Sequence, residues 1–246
     1  MTPLLELRGV SKSFQGLRAL HDVSFSVEEG EVLSIIGPNG AGKTTLFNVV
    51  TGALRPTSGD ILFEGRSVKG LRPDQTARAG IARTFQIVRP FPGLTTLDNV
   101  TLAALAKERR RRDAAKLARE VLALVRLEKY ADLEARSLTL ARRKRLEIAR
   151  AVALRPRLIL LDEVMAGLTP VEVEETIELL AALRARGIAT IAGIEHIMQA
   201  VRKISDRIVV LNFGRKLAEG PPGEIMAHPE VIKAYLGPAY APAGGP

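Results

Sequence analysis

The 246-residue chain carries 36 Lys and Arg against 27 Asp and Glu, a formal charge of +9, with 46% hydrophobic residues and no cysteine. That balance describes a globular chain of one large domain, or a core with a smaller lobe, and excludes disulfides and thiolate metal sites. No apolar run approaches the roughly 18 residues of a membrane span, and the first residues lack a signal peptide's layout, so a cytoplasmic chain is expected.

Residues 4–10 and 23–27 alternate apolar with polar side chains and predict two strands, joined by a connection over 11–18. Phe14 lies in that connection, where an aromatic suits either core packing or stacking on adenine. Glu29-Gly30 turns the chain into an apolar run over residues 32–36, broken only by Ser34. Next comes Gly37-Pro38-Asn39-Gly40-Ala41-Gly42-Lys43-Thr44-Thr45, which fills every position of G-x-x-x-x-G-K-[ST], and then an apolar helical pattern from Leu46. Strand, glycine-rich loop and helix are the context this motif requires. Its glycines let successive backbone N–H groups curl around one anion, and the helix behind it presents its positive end. The loop predicts a bound nucleoside triphosphate, with Lys43 reaching the β- and γ-phosphates and the Thr44 hydroxyl holding Mg2+.

After a break at residues 55–59, the pattern predicts a strand over 60–63, a short helix over 73–79 and a strand over 81–86 that ends in an amide, Gln86. Pro90 and Pro92-Gly93 form a linker. Thr95 or Thr96 can cap a helix running through Ala106, and residues 114–126 and 142–154 have helical periodicity. Residues 89–155 therefore predict an all-helical lobe inserted into an α/β core formed by 1–88 and 156–236. Two basic clusters fall in this insert. Residues 109–112 suit a solvated helix face near acidic lipid headgroups better than a DNA contact, and only 4% of the chain is aromatic. Arg142, Arg143, Lys144 and Arg145 open a helix whose dipole they oppose. They suit either a solvated basic face or an anion docked at that helix end.

Residues 157–162 form a continuous apolar run ending in Asp162 and Glu163, as in a buried parallel strand. Such a strand delivers Asp162 to the Mg2+ shell at the carboxyl edge of the sheet. Glu163, pointing to the other side, can orient or deprotonate the attacking water. A helix over 171–186, strands over 188–194, 207–212 and 215–219, and a loose tail at 237–246 rich in Pro, Gly and Ala complete the chain.

The phosphate loop, the helical insert and the Asp162-Glu163 strand, in this order, resemble the ATP-binding subunit of an ABC transporter over essentially the whole length. The resemblance implies an α/β P-loop NTPase core of the RecA-like kind, with an antiparallel β subdomain and the helical lobe, binding ATP and Mg2+. It implies that Gln86 senses Mg2+ and water and that His196 contacts the γ-phosphate. It also implies partners: transmembrane permease subunits, a second ATPase subunit in a homo- or heterodimer, and indirectly a periplasmic or extracellular substrate-binding protein. The chain would then sit at the cytoplasmic face of the membrane and bind no nucleic acid.

The family signature, L-S-G-G-Q, would touch the ATP of the partner subunit and falls at Leu138, Thr139, Leu140, Ala141 and Arg142. Thr139 keeps a hydroxyl that can cap the next helix. Ala141 replaces a glycine, at a cost of about 1–2 kcal/mol if the backbone there has positive φ and none if it is a first helical turn. Finer texture resembles the ATPases of branched-chain amino acid importers. It lies in Ala82-Arg83-Thr84-Phe85-Gln86, in residues 162–170, in Ile194-Glu195-His196-Ile197-Met198, in Ser205-Asp206-Arg207 and in residues 228–237. Related ATPases serve urea or amide import and lipid or polysaccharide export, which stand as the alternatives, and the resemblance implies that specificity sits in other subunits, a binding protein and a permease. A soluble ABC-type ATPase acting on DNA or ribosomes is disfavoured by the lack of a long coiled coil or a duplicated cassette. A decayed binding module is disfavoured by the joint presence of Lys43, Asp162, Glu163 and His196.

Overall fold

The computed structural model describes residues 2–84, 90–193 and 198–236. The chain opens with β1 (Leu5–Phe14), β2 (Leu17–Val27), β3 (Val32–Ile36), α1 (Lys43–Val50), β4 (Ser58–Phe63) and β5 (Arg66–Ser67). It continues through α2 (Pro73–Ala79), β6 (Ile81–Arg83), α3 (Thr96–Ala104), α4 (Arg111–Leu124), α5 (Leu140–Ala153) and β7 (Leu158–Asp162). Then follow α6 (Pro170–Arg184), β8 (Ala189–Gly193), α7 (Met198–Ile204), β9 (Arg207–Asn212), β10 (Arg215–Gly220), α8 (Pro222–Ala227) and α9 (Pro229–Leu236).

Two sheets result. The smaller is antiparallel in the order β2-β1-β4-β5, and the larger runs β10-β9-β3-β8-β7-β6, with only β10 antiparallel to its neighbour. All five residues of β3 and of β7 are buried, which is why both read as apolar runs rather than alternations. Alternation survives as a choice of side. Leu158 and Leu160 face α1 and the antiparallel sheet, whereas Ile159 and Leu161 face a second cluster that includes helices α3 to α7. Ser34, the polar break in β3, is fully buried and pairs its hydroxyl with that of Ser205 at 2.5 Å. Between β6 and β7 the described residues hold helices and 3-10 turns, with one isolated bridge, Thr95 to Glu134. Their side chains join the sheet's own hydrophobic cluster rather than forming a separate one.

The connection expected over residues 11–18 is instead a tight hairpin. Both strands extend to a two-residue turn, Gln15 at φ 38° and Gly16 at φ 95°, the backbone that matches strand twist. Register shifts between Leu7 and Val10, Val10 and Lys12, and Lys12 and Ser13 break the alternation that would have marked the strand in the sequence. The short helices α7, α8 and α9 also went unforeseen; α8 and α9 each begin on a proline, whose fixed φ suits a first turn.

Leu160, fully buried on the central strand β7, tests this packing. Leu160→Ala is expected to cost about 2–5 kcal/mol in denaturant unfolding. A loss under about 1 kcal/mol would mean that this face of the sheet is not closed.

Candidate functional site

β3 ends at Ile36, and the loop that follows is bent by backbone no other residue type allows. A Cβ on Gly37 would stand 2.1 Å from the Leu211 carbonyl of β9, and one on Gly42, at φ 102°, would stand 2.6 Å from the Ala19 carbonyl. Gly42 is the N-cap of α1, with no side-chain cap and no acidic residue in the first turn. The first N–H groups of α1 are thus left for an anion. Lys43 folds back over the loop, donating to the Gly37 carbonyl at 2.6 Å and the Pro38 carbonyl at 3.1 Å. Burial holds its ammonium below the ordinary lysine pKa, against the opposing pull of Glu163 and Asp162.

A cavity of about 530 Å³ opens over this loop. Residues 39–45 line it, together with Phe14, Leu17, Arg18 and Ala19 of the first hairpin, Gly214 packed against Ala19, Phe213 beside it, and Glu163. Asp162, buried at the carboxyl end of β7, accepts from the Arg83 guanidinium at 2.7 Å, and its backbone N–H donates to the Thr84 hydroxyl at 3.1 Å. Arg83 also donates to the Asn48 side chain at 2.5 Å and lies over the Phe47 ring, so it clamps α1 to β7. Glu163 has the left-handed backbone, φ 50°, that is uncommon outside glycine. The structure therefore gathers a phosphate cradle, a cation, a buried carboxylate and a second carboxylate at one edge of the parallel sheet.

Residues 20–166 match the family model described as ABC transporter. The chain belongs to that family. Residues 215–237 match a second model, described as branched-chain amino acid ATP-binding cassette transporter. The chain is 44% identical to the high-affinity branched-chain amino acid transport ATP-binding protein BraF of Pseudomonas aeruginosa, covering 96% of this chain and 99% of the relative. Its fold superposes on a nucleotide-free ATP-binding cassette from an ABC transporter with a TM-score of 0.88 at 30% identity, covering 96% of this chain and 100% of that one. A dimeric cassette in a post-hydrolysis state, bound to ADP and Pi, matches with a TM-score of 0.80 at 29% identity, covering 89% of this chain and 98% of that one. The chain is an ABC ATPase.

In this cassette, Gln86 and His196 lie outside the described residues. Thr44 and Asp162 offer a hydroxyl and a carboxylate, the hard oxygen donors that suit Mg2+. Leu138, Thr139, Leu140, Ala141 and Arg142 do not line the cavity of their own chain. Thr139 caps α5 and accepts the Arg142 backbone N–H at 3.4 Å. Ala141 sits in the first turn of α5 and is not among the positive-φ residues, so the lost glycine costs the backbone nothing there.

The basic cluster is not a simple solvated face. Arg142 stacks on the Tyr130 ring 4.0 Å from its centroid, Arg145 pairs with Glu175, and Lys144 is buried against carbonyls. Of the other cluster, Arg109 to Arg112 are exposed or nearly so, as a solvated face requires, and Arg111 pairs with Asp98.

Four contributors were not foreseen as such. Arg83 belongs to the stretch that carries the family resemblance and Lys144 to the basic cluster of α5, Phe213 is 84% exposed on the cavity wall, and Tyr235 of α9 receives a backbone hydrogen bond from Gly37. Burial raises the Tyr235 hydroxyl above its ordinary pKa.

Because the Leu211 carbonyl belongs to β9 and cannot retreat, Gly37→Ala must displace the phosphate loop. ATP affinity is expected to fall at least about tenfold, equivalent to about 1.4 kcal/mol. An unchanged dissociation constant for ATP by equilibrium titration would contradict the geometry.

Proposed function

We propose that this ABC ATPase powers a transporter for branched-chain or related amino acids, using Mg-ATP at the cavity between the phosphate loop and the end of β7. The observation that carries the proposal is the convergence of the α1 N-terminus, Lys43 and Glu163 on that one cavity, with Asp162 behind it. The cargo class rests on the match of residues 215–237 and on the similarity to BraF.

In this reading Phe14 stacks on adenine, and residues 39–45 wrap the phosphates with their N–H groups. Lys43 exchanges its two loop carbonyls for the β- and γ-phosphate oxygens. Thr44, Asp162 and Gln86 would hold Mg2+, which would supply positive charge to offset that of the phosphate oxygens. Glu163 accepts a proton from the water that attacks the γ-phosphate in line, and His196 contacts that phosphate. Catalysis is positioning plus electrostatics, since the helix end and Lys43 are fixed before charge develops.

A second ATPase subunit supplies Thr139 and its neighbours to close the far side of the nucleotide. Dimeric assembly in a solved cassette of this fold supports that arrangement. Permease subunits bind the cassette at the cytoplasmic face of the membrane, a substrate-binding protein acts through them, and nucleic acid has no part. No helix of the described residues is long and apolar enough to cross a membrane itself. Residues 89–155 act as the lobe that receives the permease, and 1–88 with 156–236 as the catalytic core.

Two substitutions test the assignment. Lys43→Ala is expected to abolish ATP binding or turnover, because the loop has no second fixed cation. Glu163→Gln keeps the size of the side chain but cannot accept the proton. It should leave ATP binding within twofold and slow phosphate release by about 10²–10⁴-fold. Loss of binding together with turnover in Glu163→Gln would make Glu163 structural, and near-normal turnover in Lys43→Ala would overturn the phosphate site.

A further inference from the structure

Lys144 lies one turn inside α5 and is 7% exposed. Its ammonium donates to the Glu163 carbonyl at 2.7 Å and to the Ala166 carbonyl at 2.5 Å. Both acceptors belong to the turn that leaves β7. The Ala166 N–H also donates to the Glu163 carbonyl, at a long 3.4 Å. The same turn meets α5 a second time, where a Cβ on Gly167 would lie 3.3 Å from the Leu140 side chain.

Glu163 needs such support. Its φ of 50° is a left-handed conformation that is strained for a residue with a Cβ. Strain of this kind persists where the surroundings over-determine it. The backbone twist is also what turns the Glu163 side chain into the cavity while Asp162 stays buried behind it. A charged donor on two carbonyls of one turn is the strong form of hydrogen bond, and it is anchored on the helix that begins at Thr139.

We infer that Lys144 is a positioning residue for Glu163: it ties the backbone of the catalytic carboxylate to α5, so the helix that presents Thr139 to the partner's nucleotide also sets Glu163 of its own chain. A shift of α5 on engaging that nucleotide is then felt at Glu163, which links the two composite sites of a dimer. The inference rests on the proposed role of Glu163.

The test is steady-state hydrolysis by the assembled ATPase carrying Lys144→Met, Lys144→Arg, Glu163→Gln or Lys144→Met with Glu163→Gln. Lys144→Met should lower kcat about 10–100-fold, the scale of a catalytic group misplaced by about 1 Å, with KM for ATP within twofold. Lys144→Arg, which can still donate to both carbonyls, should recover most of the rate. On the Glu163→Gln background, Lys144→Met should slow the residual rate no further. If Lys144→Met does not fold, Lys144→Gln, too short to span both carbonyls, replaces it with the same expectations. A kcat within twofold of the unaltered chain, or an equal loss on the Glu163→Gln background, overturns the inference while leaving Glu163 in place. Normal turnover by Glu163→Gln alone overturns the role of Glu163, and the inference with it.

Discussion

The parallel register of three neighbouring strands is the constraint on which the site depends. Ile35 of β3 and Asp162 of β7 both pair with Gly193 of β8, so the ends of the three strands lie level. With β8 between them, β3 and β7 are two strand spacings apart, about 10 Å. That gap brings the phosphate loop and Glu163 to one cavity, with Asp162 behind it. A slip of one residue would turn Asp162 to the opposite face of the sheet. The site therefore depends on the buried apolar faces that fix this register, long before any polar contact is made.

Three cations hold the polar side of the arrangement, each with a separate task. Lys43 spans the carbonyls of its own loop, Arg83 joins the Asp162 carboxylate to Asn48 of α1, and Lys144 joins the turn after β7 to α5. Of these, Lys43 alone lines the nucleotide cavity. In the proposed function, phosphate oxygens would replace its two carbonyl contacts, so the exchange would cost little. Arg83 and Lys144 instead keep the two carboxylates where the backbone of β7 delivers them. Many of the chain's other Arg side chains sit in exposed ion pairs, such as Arg72 with Asp74 and Arg126 with Glu178, worth at most about 1 kcal/mol each.

Much of the fold was legible from residue pattern. The runs that became β3 and β7, the helix after the phosphate loop, and strand β9 over Arg207–Asn212 were all foreseen, because burial on both faces or a complete motif marks them strongly. The β1–β2 hairpin was not, since bulges destroy the period-two signal there. In the site, residues whose role is local chemistry could be read, whereas Arg83 acts on a partner 79 positions away and declares nothing by itself. Lys144 did leave a signal. It falls three residues after Ala141 and four before Ile148, both buried, so a cation sits on the apolar stripe of α5, which the dipole argument overlooked. Phe213 and Tyr235 depend on how the last strands and α9 fold back over the loop, which no local pattern encodes.

The central claim is that the amides of the phosphate loop close on a nucleotide phosphate. Hydrogen exchange of the intact chain, followed peptide by peptide with and without Mg-ATP, tests it most directly. Nucleotide should slow exchange of the amides of residues 39–46 by at least about tenfold, corresponding to about 1.4 kcal/mol of added protection. ATP binding at saturation with exchange there unchanged, and protection appearing elsewhere, would contradict the account.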